Sequence, residues 1–138
     1  MKIAVDFDGT IVEHKYPEIG KEILFAFETL KQLINQKHQV ILWTYRAGKE
    51  LDEAVEFCRE NGVEFFAINK NYPEEHYDGS ISRKIEADVY IDDRNIGGFP
   101  GWSAIWQILN ATDSRSDEIK TVNAAAKSKK ARKGLFKR

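Results

Sequence analysis

Short runs of branched apolar residues alternate along this chain with longer stretches in which apolar positions recur every three or four residues. The first run, Lys2-Ile3-Ala4-Val5, has the length and branching of a buried strand. A polar link from Val12 to Pro17 follows, and then Ile19, Ile23, Phe27, Leu30, Leu33 and Ile34 fall on one helical face. Asn35 to His38 end that helix, and Val40-Ile41-Leu42-Trp43 reads as a second strand. Leu51, Ala54, Val55 and Cys58 mark a second helix, with Asn61-Gly62 as its stop. Phe65 to Ile68 is a third strand and Asp88 to Ile91 a fourth. A polar loop, Asn69 to Ser82, lies between them, long enough to be either functional or a plain surface connection. Trp102, Ile105, Trp106, Ile108 and Leu109 suit a last helix, with both Trp as core or interface residues. Alternation of strands and helices through short links predicts an α/β fold of three layers, a Rossmann-like parallel sheet with helices on both faces.

Composition changes this picture in two places. At 138 residues and 42% hydrophobic the chain suits one globular domain, and no apolar run approaches the ~20 residues that span a bilayer. The N-terminus enters a strand pattern at once and carries acids, unlike a signal peptide. Cys58 is the one cysteine, which excludes an internal disulfide and fits a reducing, cytoplasmic setting. Its place on a helix face favours a core thiol. The net charge of −1 hides an asymmetry. Residues 113–138 hold nine Lys or Arg against three Asp or Glu, a balance of +6, while residues 1–112 hold 12 against 19 and carry −7. The expected organisation is a folded domain over 1–112 and a basic tail over 113–138, disordered or partly helical.

The candidate chemistry starts at Asp6-Phe7-Asp8-Gly9-Thr10, where the first strand ends. If the chain leaves the strand between the two acids, both can reach one crevice at the sheet's carboxyl edge, where open α/β sheets bind ligands. Acids so close repel each other unless a cation lies between them or one is protonated. Mg²⁺, a hard cation that accepts phosphate and water oxygens, suits them. A plain turn would use the same residues, and an EF-hand would need its Gly later in the loop and a third acid or Asn before it. Three strand ends carry polar chemistry: Asp6 and Asp8, then Thr44, then Asp92 and Asp93, with Lys84 shortly before the last. In a parallel sheet they lie along one edge. That gathers metal-binding acids, a hydroxyl donor and a cation, the needs of phosphoryl chemistry.

These motifs, DFDGT at 6–10, VILWT at 40–44, Lys84 and YIDD at 90–93, resemble in their order the haloacid-dehalogenase-like phosphohydrolase superfamily. A receiver domain uses similar residues in a different order. The resemblance implies an aspartyl-phosphate formed on Asp6. It implies that Asp8 protonates the leaving oxygen and then activates water, with its backbone carbonyl on Mg²⁺. Thr44 and neighbouring N–H groups would hold the phosphoryl group, and Lys84 would neutralise charge, with Arg83 as a competing cation. Asp92 and Asp93 complete the metal set with Asp6 and Asp8, and Asp92 is favoured as the direct ligand. Arg46, Asn69 and Arg94 are either rim or surface residues.

Neither Ile11–Ile19 nor Asn69–Arg83 is long enough to be a cap domain, so the chain resembles capless members, which act on macromolecular phosphoesters or close their site with another subunit of a homo-oligomer. The stretch around YIDDR is also similar to the last motif of deoxynucleotidases, which makes nucleoside monophosphates one candidate. The tail's Lys127, Lys129, Lys130, Arg132 and Lys133 could meet nucleic-acid phosphates or simply be solvated. Two functions are therefore open: a Mg²⁺-dependent phosphohydrolase acting on a phosphorylated substrate, small or macromolecular, and a non-catalytic phosphate- or nucleic-acid-binding module on the same fold. An acid at Asp8 favours the enzyme, since a binding module has no need of it.

Overall fold

Four short strands form one sheet in the computed structural model, which describes residues 1–111. The basic tail lies outside the described residues. The strands are β1 (Lys2–Val5), β2 (Gln39–Leu42), β3 (Ala67–Ile68) and β4 (Val89–Ile91), with helices α1 (Ala26–Asn35) between β1 and β2 and α2 (Gly48–Glu60) between β2 and β3. All pairings are parallel, in the order β3-β2-β1-β4. This is an α/β Rossmann-like fold. Ile3, Ala4 and Val5 of β1 and Val40, Ile41 and Leu42 of β2 are almost wholly buried. Such unbroken apolar runs belong to strands covered on both faces, and they explain why no apolar/polar alternation is visible in them.

The register sets the site. Val5 pairs with Leu42 on one side and with Ile91 on the other, so Asp6, Trp43 and Asp92 leave the sheet side by side. The chain builds β2 and β3 outward from β1 and then returns to place β4 on the opposite side of β1. The reversal opens a crevice between the carboxyl ends of β1 and β4, the place where doubly wound sheets bind ligands. Asp6 lies at one lip of it and Asp92-Asp93 at the other.

The helix stops follow their sequence signals. At the end of α2, Gly62 adopts φ 84° and donates its N–H to the Arg59 carbonyl, while buried Val63 donates to Cys58. These two bonds are a Schellman cap. Lys37 does the same for α1 at φ 71°, with Lys37 N–H on Ile34 and His38 N–H on Leu33. Cys58 is buried and its thiol is pushed up to about 12 by that burial, as a core thiol should be.

Two expectations need correction. The first helix starts at Ala26, not near Ile19. Ile19 and Ile23 belong instead to a flap over residues 11–23: Val12 bridges Glu22 antiparallel, Glu13 N–H donates to the Lys21 carbonyl, and Ile23 N–H donates to Ile11. Phe25, in the left-handed region at φ 68°, bars the helix from running backward into it. The third strand is named for two residues only, although Phe66 N–H on Val40 and Asn69 N–H on Leu42 extend its pairing by one residue at each end.

The loop from Asn69 to Ser82 is tied internally and to the following segment. Asn71 donates to the Glu75 carboxylate and accepts from Glu86 N–H, and Asp78 accepts from Ser80. Among the described residues neither this loop nor the flap is a cap domain. Residues 1–102 are one compact unit, and residues 103–111 belong to a second. Residues 102–111 are helical. No helix of the described residues is long and apolar enough to cross a membrane.

Candidate active site

A cavity of about 550 Å³ opens at the carboxyl edge of the sheet, lined by Asp6, Asp8, Thr44 and Asp92 on its floor, with His14, Tyr16, Trp43, Tyr45 and Arg94 around them. Asp6, Asp92 and Asp93 each direct one carboxylate oxygen into a cluster whose members lie within 4.8 Å of one another. All three side chains are half-buried. Burial, the charge of Asp92 and a carboxyl–carboxyl hydrogen bond with Asp93 raise the Asp6 pKa to about 7, against smaller lowering by the Phe7 backbone N–H and the Thr10 hydroxyl. The cluster thus resists full ionisation, as like charges in a desolvated pocket must.

Three local features hold the acids in place. Thr10 is fully buried; its hydroxyl lies 3.2 Å from Asp6 Oδ2 and 3.3 Å from Asp93 Oδ1, one proton shared between two acceptors. The Thr10 carbonyl in turn accepts from the buried Trp102 indole N–H at 2.8 Å. Gly9 has φ 87°, and a Cβ there would sit 2.2 Å from Asp93 Oδ2, so the Asp93 carboxylate occupies the space that only glycine leaves free. Finally, Asp92 Oδ1 accepts the Arg94 N–H at 2.8 Å and the Asp92 carbonyl accepts from the Asn95 side chain, closing a turn that keeps both acids at the crevice.

Asp8 is held apart from the cluster by Arg46. Nε donates to Asp8 Oδ2 at 2.8 Å and Nη2 to Asp8 Oδ1 at 2.7 Å, a two-pronged ion pair. The remaining donors go to the carbonyls of Pro17 (3.0 Å), Glu18 (2.7 Å) and Glu50 (3.3 Å). All five N–H groups of the guanidinium are therefore used. Arg46 is 1% exposed, and its guanidinium lies over the rings of Phe7 (5.0 Å) and Tyr16 (5.3 Å). The pairing with Asp8 raises the Arg46 pKa further. One side chain thus ties Asp8, the flap and the start of α2 together.

Thr44 stands on the floor with its N–H donated to Asn69 Oδ1 (2.8 Å) and its hydroxyl oxygen accepting the Arg46 N–H (3.1 Å). The Thr44 N–H is thereby committed, and the hydroxyl proton remains as the donor it can offer a ligand. Of the expected site residues, Asp6, Asp8, Thr44, Asp92 and Asp93 come together. Lys84 does not. It is exposed, does not line the cavity, and its ammonium lies 5.2 Å from the Tyr90 ring centre. Tyr90 is fixed there by donating to the Ile85 carbonyl at 2.6 Å. The competing cation, Arg83, is turned to Tyr77. A cation that does line the cavity is Arg94, whose guanidinium is 3.2 Å from His14 Nε2.

No protein-family model matches the chain, and no curated protein does. A solved structure does match: a conserved protein coded by a locus of Bacteroides thetaiotaomicron is 59% identical, with a TM-score of 0.77, over 81% of this chain and 91% of that one.

Proposed function

The chain belongs to the same family as that conserved Bacteroides thetaiotaomicron protein, and within that family we propose that it is a Mg²⁺-dependent phosphohydrolase that cleaves a phosphomonoester through an aspartyl-phosphate. The observation that carries the reading is the all-oxygen cluster of Asp6, Asp92 and Asp93 in the crevice between β1 and β4, with Asp8 and Thr44 in the same cavity. Carboxylate oxygens without His or Cys suit a hard divalent cation, and a pKa near 7 on Asp6 is what such a cluster has without one. Asp6, Asp92, Asp93 and the Asp8 backbone carbonyl are the ligands this reading assigns. Mg²⁺ held there would offset the negative charge of the acids and of the phosphate oxygens, so that an Asp6 carboxylate could approach a phosphate dianion.

The steps then belong to the chain's own residues. Asp6 attacks phosphorus while the leaving oxygen takes a proton from Asp8, and the phosphoryl group moves to Asp6. Asp8 next takes a proton from water, which attacks phosphorus and releases inorganic phosphate and free Asp6. The Arg46 fork occupies one lone pair on each Asp8 oxygen and leaves another, and it is on that free lone pair that Asp8 carries the proton it gives to the leaving oxygen and later regains from water. Thr44 donates its hydroxyl proton to a phosphoryl oxygen. The cation beside the phosphoryl group is Arg94 in the cavity wall, in place of Lys84.

The test is phosphate release from an aryl phosphate by the purified protein with Mg²⁺, with a chelator, and in the Asp6→Asn variant. The expected outcome is release by the native protein with Mg²⁺ alone. Full activity in Asp6→Asn, or turnover that survives chelation, would refute the reading.

A further inference from the structure

The upper wall of the cavity has a character its floor does not. Tyr45 follows Thr44 directly, lines the cavity and is 89% exposed. Its ring meets that of Tyr16, on the flap, edge to face at 6.0 Å and 69°. Tyr16 also lines the cavity and is backed by the Arg46 guanidinium at 5.3 Å. Arg46 cannot shift without losing its five hydrogen bonds, so the wall is held from behind. Trp43, half-buried, continues it and packs against the core cluster of Ala4, Ile41, Ala67 and Ile85. A neutral aromatic wall thus stands beside an acidic floor.

Resting on the phosphohydrolase reading of the floor, we propose that this wall is a subsite for a planar leaving group, so that the substrates are phosphomonoesters whose organic part carries a flat ring. The wall is one-sided. A flat ring presents most of its area through one face and gains stacking energy against a single wall. A sugar or aliphatic group needs enclosure and hydrogen-bond partners on several sides, which a cap would supply. Tyr16 is held from behind by Arg46, so a ring that stacks on that part of the wall costs little side-chain entropy. The chemistry is shared by aryl phosphates, where the ring sits on the ester oxygen, and by nucleotides, where a sugar intervenes.

The test compares kcat/KM for 4-nitrophenyl phosphate, adenosine 5′-monophosphate and glycerol phosphate in the native protein, Tyr45→Ala and Tyr45→Phe, with Mg²⁺. Because Tyr45 is so exposed, its substitution spares the fold. Losing one stacking partner should lower the preference for ring-bearing esters over glycerol phosphate by about 5- to 100-fold in Tyr45→Ala, and Tyr45→Phe should keep it. Whichever ring-bearing ester loses more identifies the distance of the ring from the phosphate. Calorimetric binding of phenylphosphonate against cyclohexylphosphonate, whose P–C bonds are not phosphoesters, reads the same subsite without turnover. Equal binding of the two, or the same ratio in native and Tyr45→Ala protein, overturns the subsite. Phosphonate binding that prefers the flat ring, with no phosphate released from any ester, supports the subsite and overturns the phosphohydrolase reading instead.

Discussion

Arg46 is the side chain whose loss should damage the site most without lining the cavity itself. Replace it with Met, and Asp8 keeps a carboxylate with 11% side-chain exposure and no counter-charge. Breaking one side of a buried ion pair typically costs about 3–5 kcal/mol. The carbonyls of Pro17 and Glu18 lose their donors too, but both residues are exposed and water can replace Arg46 there, so Asp8 dominates the loss. Arg46→Lys keeps the charge but brings three donors from one point instead of a five-donor fork, so at least two of the five acceptors lose their partner, at roughly 1 kcal/mol each. Against a total stability of about 5–15 kcal/mol, Arg46→Met falls near the edge of folding and Arg46→Lys stays folded. The assay is urea unfolding of native, Arg46→Lys, Asp8→Asn and the double variant, with phosphate release measured alongside. The double variant should be more stable than the sum of the single losses predicts, by about 1–3 kcal/mol, because the second change removes a group already orphaned. Arg46→Lys should also lose about 100-fold in kcat, since a displacement of Asp8 by about 1 Å is enough for that. Additive losses, or an Arg46→Lys variant equal to native in both readouts, would refute the claim that Arg46 acts by holding Asp8.

The acidic cluster makes stability depend on pH and metal together. Asp6 is raised from 3.8 to about 7, so the folded state holds a proton there that the unfolded chain has lost. This contribution is fully present below about pH 4 and is lost as pH rises through 7, so without metal the melting temperature should fall across that window. Mg²⁺ should restore it most at the alkaline end, and Asp6→Asn should flatten both trends; equal Mg²⁺ effects at pH 5 and pH 8 would count against the cluster as the site. Gly9→Ala forces a Cβ onto Asp93 in a backbone conformation that L residues avoid. It should weaken Mg²⁺ binding by about 10- to 100-fold, as loss of ligand support typically does, in a calorimetric titration. Arg94→Ala should raise KM or lower kcat at least tenfold in the phosphate-release assay, whereas Lys84→Ala should stay within about twofold of native. The reverse order would return the neutralising role to Lys84.

The fold and the acids were legible because their signals are local. A run such as Val40-Ile41-Leu42 between two helix patterns reads as a buried parallel strand, and the Asp6/Asp8 and Asp92/Asp93 pairs follow such runs directly. What was hidden depends on partners distant in sequence. Arginine is rarely buried, and nothing between Thr44 and Gly48 announces that Arg46 will reach Asp8, 38 residues earlier. The flap was masked by accident of spacing, because Ile19 and Ile23 fit a helical period yet serve an antiparallel return. Lys84 is the converse case: motif order places it near the fourth strand, but order along a chain does not set a rotamer, and the ammonium is turned to the Tyr90 ring.

These departures have one physical source. The acids emerge directly from strand ends, so backbone register alone delivers them to the crevice. The cations stand on connections, where side-chain contacts decide direction. In this site the register therefore delivers the negative charge, and the loops decide which positive charge answers it. Arg46 was won by Asp8 and three carbonyls, Lys84 by an aromatic face, and Arg94 by the His14 imidazole. The division also explains why the cavity wall is built from Tyr16 and Tyr45, on the flap and on the loop that carries Arg46. The same guanidinium that orients the proposed acid–base group backs the aromatic wall, so the chemistry of the floor and the choice of substrate should change together when Arg46 is altered and separately when Tyr45 is.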